Sequence, residues 1–421
     1  MLSDTVKNQM LLSLKRELVS AMGCTEPIAL SFAGAKAREI LGEEVQTAVA
    51  RCSGNIIKNV RCVTIPNSDG MVGIEAAVAM GIAGGDTAAG MEVIAHVTEE
   101  QRNRAKELVQ REFCRVELLK SGIPLHIHLI LQGKEHWAEV EIRRMHTNIV
   151  LLKRDDTVLF KEETGKEEEE IQNCWTLMEI KEFADTVALS EIRDIVERQI
   201  ECNLRIAEEG LKGKYGLGIG KELLESCPDC LETRIKAWAA AASEARMGGC
   251  DLPVVINAGS GNQGITSSVP VVIYAREKGI KEEKMYRALV FSALLTLWQK
   301  SYIGRLSAFC GAVSAACASG AAMTYLDGGS LEEVARTISN TLTDVPGIIC
   351  DGAKISCAAK IASCLNAAYM AHCLAENGKA YQADSGILKK TIEDTVSCVG
   401  QIGREGMHQT DFEILELLLQ K

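Results

Sequence analysis

Cys310, Cys350 and Cys357 lie in glycine-rich settings, FCGAVSAACASG and IICDGAKISC, of the kind that can hold an inorganic cluster. Three thiolates on an iron–sulfur cube leave one iron open to act as a Lewis acid on a substrate, whereas four suit electron transfer. The intervals, 40 residues and then 7, are not the clustered C-x-x-C repeats of a ferredoxin. On spacing alone, plain burial accounts for them better, because a free cysteine is a small, well-buried hydrophobe.

Three polar motifs could stand beside such a group. In Gly23-Cys24-Thr25-Glu26-Pro27 a cysteine precedes a proline-started helix, and the partial positive charge of a helix N-terminus is expected to lower the Cys24 thiol pKa toward a reactive thiolate. A capping turn is the plainer reading. The run Asn257 to Gly264 (NAGSGNQG) follows the β-like LPVVI; its glycines let backbone N–H groups approach an anion, with Ser260, Asn262 and Gln263 adding side-chain hydrogen bonds. It has neither the spacing of a dinucleotide fingerprint nor the terminal Lys-Ser or Lys-Thr of a Walker loop, so a carboxylate is the expected guest. In SGNIIKN, Asn55 and Asn59 stand four residues apart on one helical face, which suits a polar pocket or a solvated surface equally.

Other candidates are weaker. Cys227 and Cys230 (CPDC) resemble a redox dithiol or half a zinc site, but no second pair follows at zinc-ribbon spacing, so a turn between helices is expected. His126 and His128 alternate along one strand and could bind zinc; His372 reads as a packed or surface residue, and His408 as a reserve acid or base. Lys354 and Arg305 flank the cysteines, placed to steady negative charge.

These residues need a large scaffold, and 421 residues with 47% hydrophobic content supply one without metal to fold it. Net charge of -11, from 46 basic and 57 acidic residues, argues against nucleic acid and anionic membrane and favours a small-molecule substrate. The opening MLSDTVKNQM does not read as a secretory signal, and 16 cysteines without an export signal predict a reducing cytoplasm. The stretch from Leu306 to Met323 is long enough for a membrane span but is built of Ala, Gly, Ser and Cys, and reads as a packed internal helix.

Along the chain, residues 5–22 and 27–42 have helical periodicity, and 71–89 read as an interior helix. From about 90 to 165 the period becomes two, through MEVIAHV, CRVELL, LHIHLIL, WAEVEIR, TNIVLL and TVLFK, predicting an antiparallel sheet. The acidic run KEETGKEEEEI predicts an exposed linker, and helices follow from 178 onward. The expected fold is therefore α+β: a large, mostly helical catalytic domain (1–89 and 166–421) with an inserted antiparallel β-rich subdomain (90–165).

The motifs GCTEP, SGNIIKNV, IPNSDGMVG, NAGSGNQG, SAFCG and CDGAKISC, in this order over nearly the whole chain, resemble the L-cysteine desulfidase family of serine-dehydratase-like proteins. The C-terminal half also resembles the α domain of iron–sulfur L-serine dehydratases. That resemblance implies a 4Fe-4S cluster on Cys310, Cys350 and Cys357, with Cys317 in reserve. It implies Cys24 as thiolate base or alternative ligand, and Asn55, Asn59, Ser260, Asn262 and Gln263 as substrate-binding residues. The implied reaction is α,β-elimination on a small L-amino acid: L-cysteine to pyruvate, ammonia and sulfide, or L-serine to pyruvate and ammonia. A pyridoxal-phosphate lyase and a non-enzymatic cysteine-rich metal-binding protein are the other classes the sequence leaves open, and it leaves open a homo-oligomer.

Overall fold

A computed structural model of the chain describes residues 2–162 and 175–420. The acidic run from 163 onward and Cys174 lie outside the described residues. The strands are β1 (Ser20–Met22), β2 (Thr47–Cys52), β3 (Cys114–Leu118), β4 (His126–Gln132), β5 (Trp137–Arg143), β6 (Ile149–Arg154), β7 (Thr157–Lys161) and β8 (Pro253–Val255). Helices fill most of the remainder, so the fold is α+β, as the periodicity predicts.

Six strands form one sheet in the order β3-β2-β4-β5-β6-β7. Alternation explains its buried face: Ile127, Leu129 and Leu131 of β4 stand opposite Ile142, Val140 and Ala138 of β5, and all six pack under the helix Thr25–Leu41. The sheet differs from the expected one in two respects. It takes in β2, which runs parallel to β3; a parallel pair needs a crossover, and the helices Gly54–Val60, Ile74–Gly84 and Glu99–Gln110 supply it. MEVIAHV is not a strand. Asp86 caps a short 3-10 turn over Thr87–Glu92, and Gly90 at φ 55 takes the backbone out of the extended region.

Buried side chains fall into two large cores. One joins Met10 through Ala21 to the helices between Trp175 and Val399; the other joins Ile28 through Ile142 to Leu415 of the last helix. The chain passes from the first core to the second at Met22–Pro27, the GCTEP turn. There β1 pairs antiparallel with β8, Ser20 opposite Val255, which pins that turn beside the NAGSGNQG loop.

The helix Gly311–Leu326 is almost wholly buried against the helices Gly261–Glu277, Glu282–Ile303 and Cys357–Glu376. Its small side chains allow that approach: a Cβ on Gly320 would stand 2.9 Å from the Ala368 carbonyl. Among the described residues, no helix is long and apolar enough to cross a membrane.

Candidate active site at the seam between two cores

Four helix N-termini meet at the seam. Cys24 caps Thr25–Leu41, Ser260 caps Gly261–Glu277, Cys310 caps Gly311–Leu326, and Cys357 opens Cys357–Glu376. None of the four N-cap side chains makes a capping hydrogen bond, so the first-turn N–H groups and partial positive charges favour an anionic guest. All four residues line one cavity, with Glu26, Asn59, His146, Arg246, Asn262, Gln263, Lys300, Arg305 and Cys350.

A short antiparallel bridge closes the 40-residue interval between two of the cysteines. Phe309 pairs with Ile349, the Cys310 N–H donates to the Ile348 carbonyl (2.9 Å), and the Cys350 N–H donates to the Ala308 carbonyl (2.7 Å). The Cys310 thiol donates to Cys350. That bond, against the opposing effect of burial and with help from the Lys58 and Lys360 charges and the Gly352 N–H, brings Cys350 down to about 6. Cys310, which keeps its proton as the donor of this bond in a buried place, is pushed up, and burial pushes Cys357 up as well. Lys300, only 5% exposed, stands near both Cys310 and Cys350; burial lowers it to about 8 while the two sulfurs oppose that fall.

This donor set fits a cluster better than a single ion. Around one zinc, sulfurs at ~2.3 Å from the metal lie roughly 4 Å apart, yet among the described residues the one compact group with ligand atoms inside 4.8 Å is Asp327, His372 and Glu376. Cys310 and Cys350 are in contact while the three sulfurs do not all fall inside that span, and three soft thiols walled by helix N-termini and a buried ammonium are a donor set that fits a cluster.

In the same cavity, and in one small apolar cluster with Cys357, the Cys24 Sγ donates to Glu26 Oε2 (3.2 Å), which also accepts from Thr25 Oγ1 (3.0 Å), while Asn59 Nδ2 donates to Glu26 Oε1 (2.9 Å). Thr25 Oγ1 also reaches the Gly259 carbonyl (3.0 Å), tying the two loops together. His146, from the turn between β5 and β6, is buried with Nε2 unpartnered. Burial holds it below its ordinary value, against the pull of Glu26 and with the push of Arg305.

The profile of the family described as "Serine dehydratase alpha chain" matches residues 88–416. The chain belongs to the serine dehydratase alpha chain family. A UPF0597 protein of Lachnoclostridium phytofermentans is 46% identical over 415 residues, covering 96% of this chain and 98% of the relative. UPF0597 proteins of Finegoldia magna and Treponema denticola are each 44% identical, covering 97% of this chain and 98% and 96% of theirs.

In this serine dehydratase alpha chain relative, the structure brings Cys24, Asn59, Ser260, Asn262, Gln263, Cys310, Cys350 and Cys357 to one cavity. Asn55, a turn before Asn59, is not among the lining residues. Cys317 is buried in the helical core with its sulfur 3.9 Å from the Ile338 carbonyl, which removes it as a reserve ligand. The expected low thiol pKa of Cys24 is reversed: burial raises it first and the Glu26 carboxylate adds to that, outweighing the helix terminus.

Arg305 lines the cavity, paired with Glu17, whereas Lys354 pairs with Asp351 outside the lining. His126 and His128 each meet a glutamate across the sheet, Glu141 at 2.6 Å and Glu139 at 2.7 Å. His372 is buried away from the cavity, and His408 is exposed beside Phe412. Cys227 and Cys230 bound the turn between Ile219–Ser226 and Leu231–Met247, as expected.

Arg246, Lys300 and His146 were not legible as site residues, and Glu26 was legible only as part of a turn. The available signal was a charge in an otherwise apolar helix: Arg246 follows a run of alanines in AWAAAASEARM, and Lys300 closes LLTLWQK.

Proposed function

We propose that this chain is an iron–sulfur lyase that carries out α,β-elimination on a small L-amino acid, with L-cysteine as substrate, giving pyruvate, ammonia and sulfide. The carrying observation is the single cavity that Cys310, Cys350 and Cys357 share with the hydrogen-bonded Cys24–Glu26 pair. Cys310, Cys350 and Cys357 would hold the cluster, which when bound supplies a Lewis-acid iron for the departing substituent.

The chain's own residues supply the rest. The Cys24 proton passes to Glu26, leaving a thiolate to take the Cα proton, a weak acid that needs a positioned base. The C–S electron pair leaves with sulfide, and the resulting aminoacrylate tautomerises to an imine that water hydrolyses to pyruvate and ammonia. Lys300 offsets negative charge on the cysteine side. Loss of water from L-serine by the same steps is the second reading, and the serine dehydratase alpha chain match favours it.

The test is anaerobic purification with iron and acid-labile sulfide analysis, then pyruvate assays on L-cysteine and L-serine. Iron near four per chain, lost in Cys310→Ser, Cys350→Ser and Cys357→Ser, with pyruvate from either substrate, is the expected result. Iron-loaded protein that turns over neither amino acid would overturn the reaction and keep the cofactor; protein that takes up no iron would overturn both.

A further inference from the structure

Arg246 is 1% exposed and lines the cavity. Its Nε donates to the Gly23 carbonyl (2.9 Å) and its Nη1 to Asn262 Oδ1 (3.0 Å), while Nη2 is buried without a partner. Nearby in sequence, Glu244 does not neutralise it, since its two oxygens accept from the Leu217 and Ile219 N–H groups (2.7 Å each). No carboxylate among the described residues forms an ion pair with this guanidinium. A charge held dry without a counter-ion is destabilising, and a guest anion on the free edge of the fork would offset that.

The same cavity holds unpartnered acceptors. Asn59 gives its Nδ2 to Glu26, which fixes the amide and leaves Oδ1 alone; Gln263 Oε1 is also buried and alone. Two orphaned carbonyl oxygens need a donor with several N–H bonds.

We propose that Arg246 is the receptor for the α-carboxylate of a free amino acid, and that Asn59 Oδ1 and Gln263 Oε1 receive its α-ammonium group. This deepens the lyase reading and rests on it for the identity of the guest as an amino acid. Asn262, expected from the sequence to touch substrate, is instead a positioning residue: its Oδ1 takes Arg246 Nη1 and the Ser243 hydroxyl (3.1 Å). The site reads both ends of a zwitterion and rejects amides and deaminated acids.

The test is calorimetric titration of the anaerobically purified protein with L-alanine, which has no β leaving group and is not consumed, and with L-alaninamide and propionate. L-Alanine is expected to bind at least about 100-fold more tightly than L-alaninamide, the usual consequence of leaving a buried charge unpaired. Arg246→Gln should lose that advantage, binding the two alike, with iron content unchanged; Gln263→Met should weaken L-alanine and leave propionate unaffected.

Equal affinity of the wild-type protein for L-alanine and its amide overturns the assignment, and this comparison needs no variant to fold. Arg246→Gln that sheds iron yet keeps its L-alanine affinity also overturns it, making the guanidinium a counter-charge for the cysteine side. Tight L-alanine binding without pyruvate from cysteine or serine supports the receptor and removes only the elimination reaction.

Discussion

The Cys24 thiol and the Glu26 carboxylate form a hydrogen-bonded pair, 3.2 Å apart, within the first turn of one helix. Glu26 is buried, which opposes its charge, yet His146 and the bonds from Cys24 and Thr25 hold its carboxyl below the ordinary range. The resting pair is thus thiol and carboxylate, and a thiolate arises only when the proton crosses to Glu26.

Replacing either member should cost about as much as replacing both. Cys24→Ser and Glu26→Gln should each lower turnover by roughly 10²–10⁴, the usual worth of a positioned base, and the double variant should be no slower than the slower single. Rates of pyruvate formation at matched iron content check this. A Glu26→Gln enzyme at wild-type rate would remove the carboxylate from the proton path.

Lys300 is a buried ammonium that lines the cavity and feels the charge of both Cys310 and Cys350. Lys300→Met keeps the length of the side chain and deletes its charge, so a bound cluster should become harder to reduce. A more negative midpoint potential and faster iron loss in air are expected, with apoprotein stability unchanged or increased because a dry charge has gone. Redox titration and thermal melts of the apoprotein give the two readings, and an unchanged potential would place the ammonium's role elsewhere.

The strands from 114 to 161 were legible because side chains alternate with period two where one face is buried, and β4 and β5 obey this residue by residue. β2 is not, since its buried positions are the small residues Ala48, Ala50 and Cys52, which mark no strong alternation, and its parallel partners lie 66 residues further on. The cysteine trio was visible as residue types, but spacing held nothing about the Phe309–Ile349 bridge that joins two of them. Arg246 is not legible in the sequence because helical periodicity assigns a charge to solvent; only its bonds to the Gly23 carbonyl and Asn262 turn it inward.

His372 should set part of the acid sensitivity of the helical core. Tyr274 donates to Asp327 Oδ2 (2.5 Å), so His372 Nε2–H donates to the Tyr274 oxygen (2.9 Å) and Nδ1 accepts from Thr324 (2.9 Å). The ring is therefore held neutral among Tyr274, Tyr369, Thr324, Asp327, Glu376 and Lys278. Burial lowers it to about 4, with Asp327 opposing and Lys278 assisting.

A depressed imidazole is one the unfolded chain protonates first, so its stabilising share is complete above the ordinary pKa near 6.5 and is lost as pH falls toward 4. That share is about 3 kcal/mol. Urea denaturation of wild type and His372→Gln across this window should show the wild-type curve falling more steeply. Parallel curves would mean that the histidine titrates as it does in the unfolded chain.

Gly261 opens the helix that follows the NAGSGNQG loop, and a Cβ there would stand 2.3 Å from Arg246 Nε and 2.8 Å from Val254 Cγ2. At an ordinary helical position Gly→Ala stabilises by about 1 kcal/mol. Here the methyl group must push the guanidinium off the Gly23 carbonyl, so Gly261→Ala should destabilise by about 1–3 kcal/mol, as overpacking does. It should also raise KM for the amino acid while iron content stays at the wild-type level, because the atoms nearest this methyl belong to Arg246 and Val254. Thermal melts and steady-state kinetics read the two effects separately. A Gly261→Ala protein that melts higher and keeps its KM would show that the guanidinium does not occupy the place from which it is argued to hold substrate.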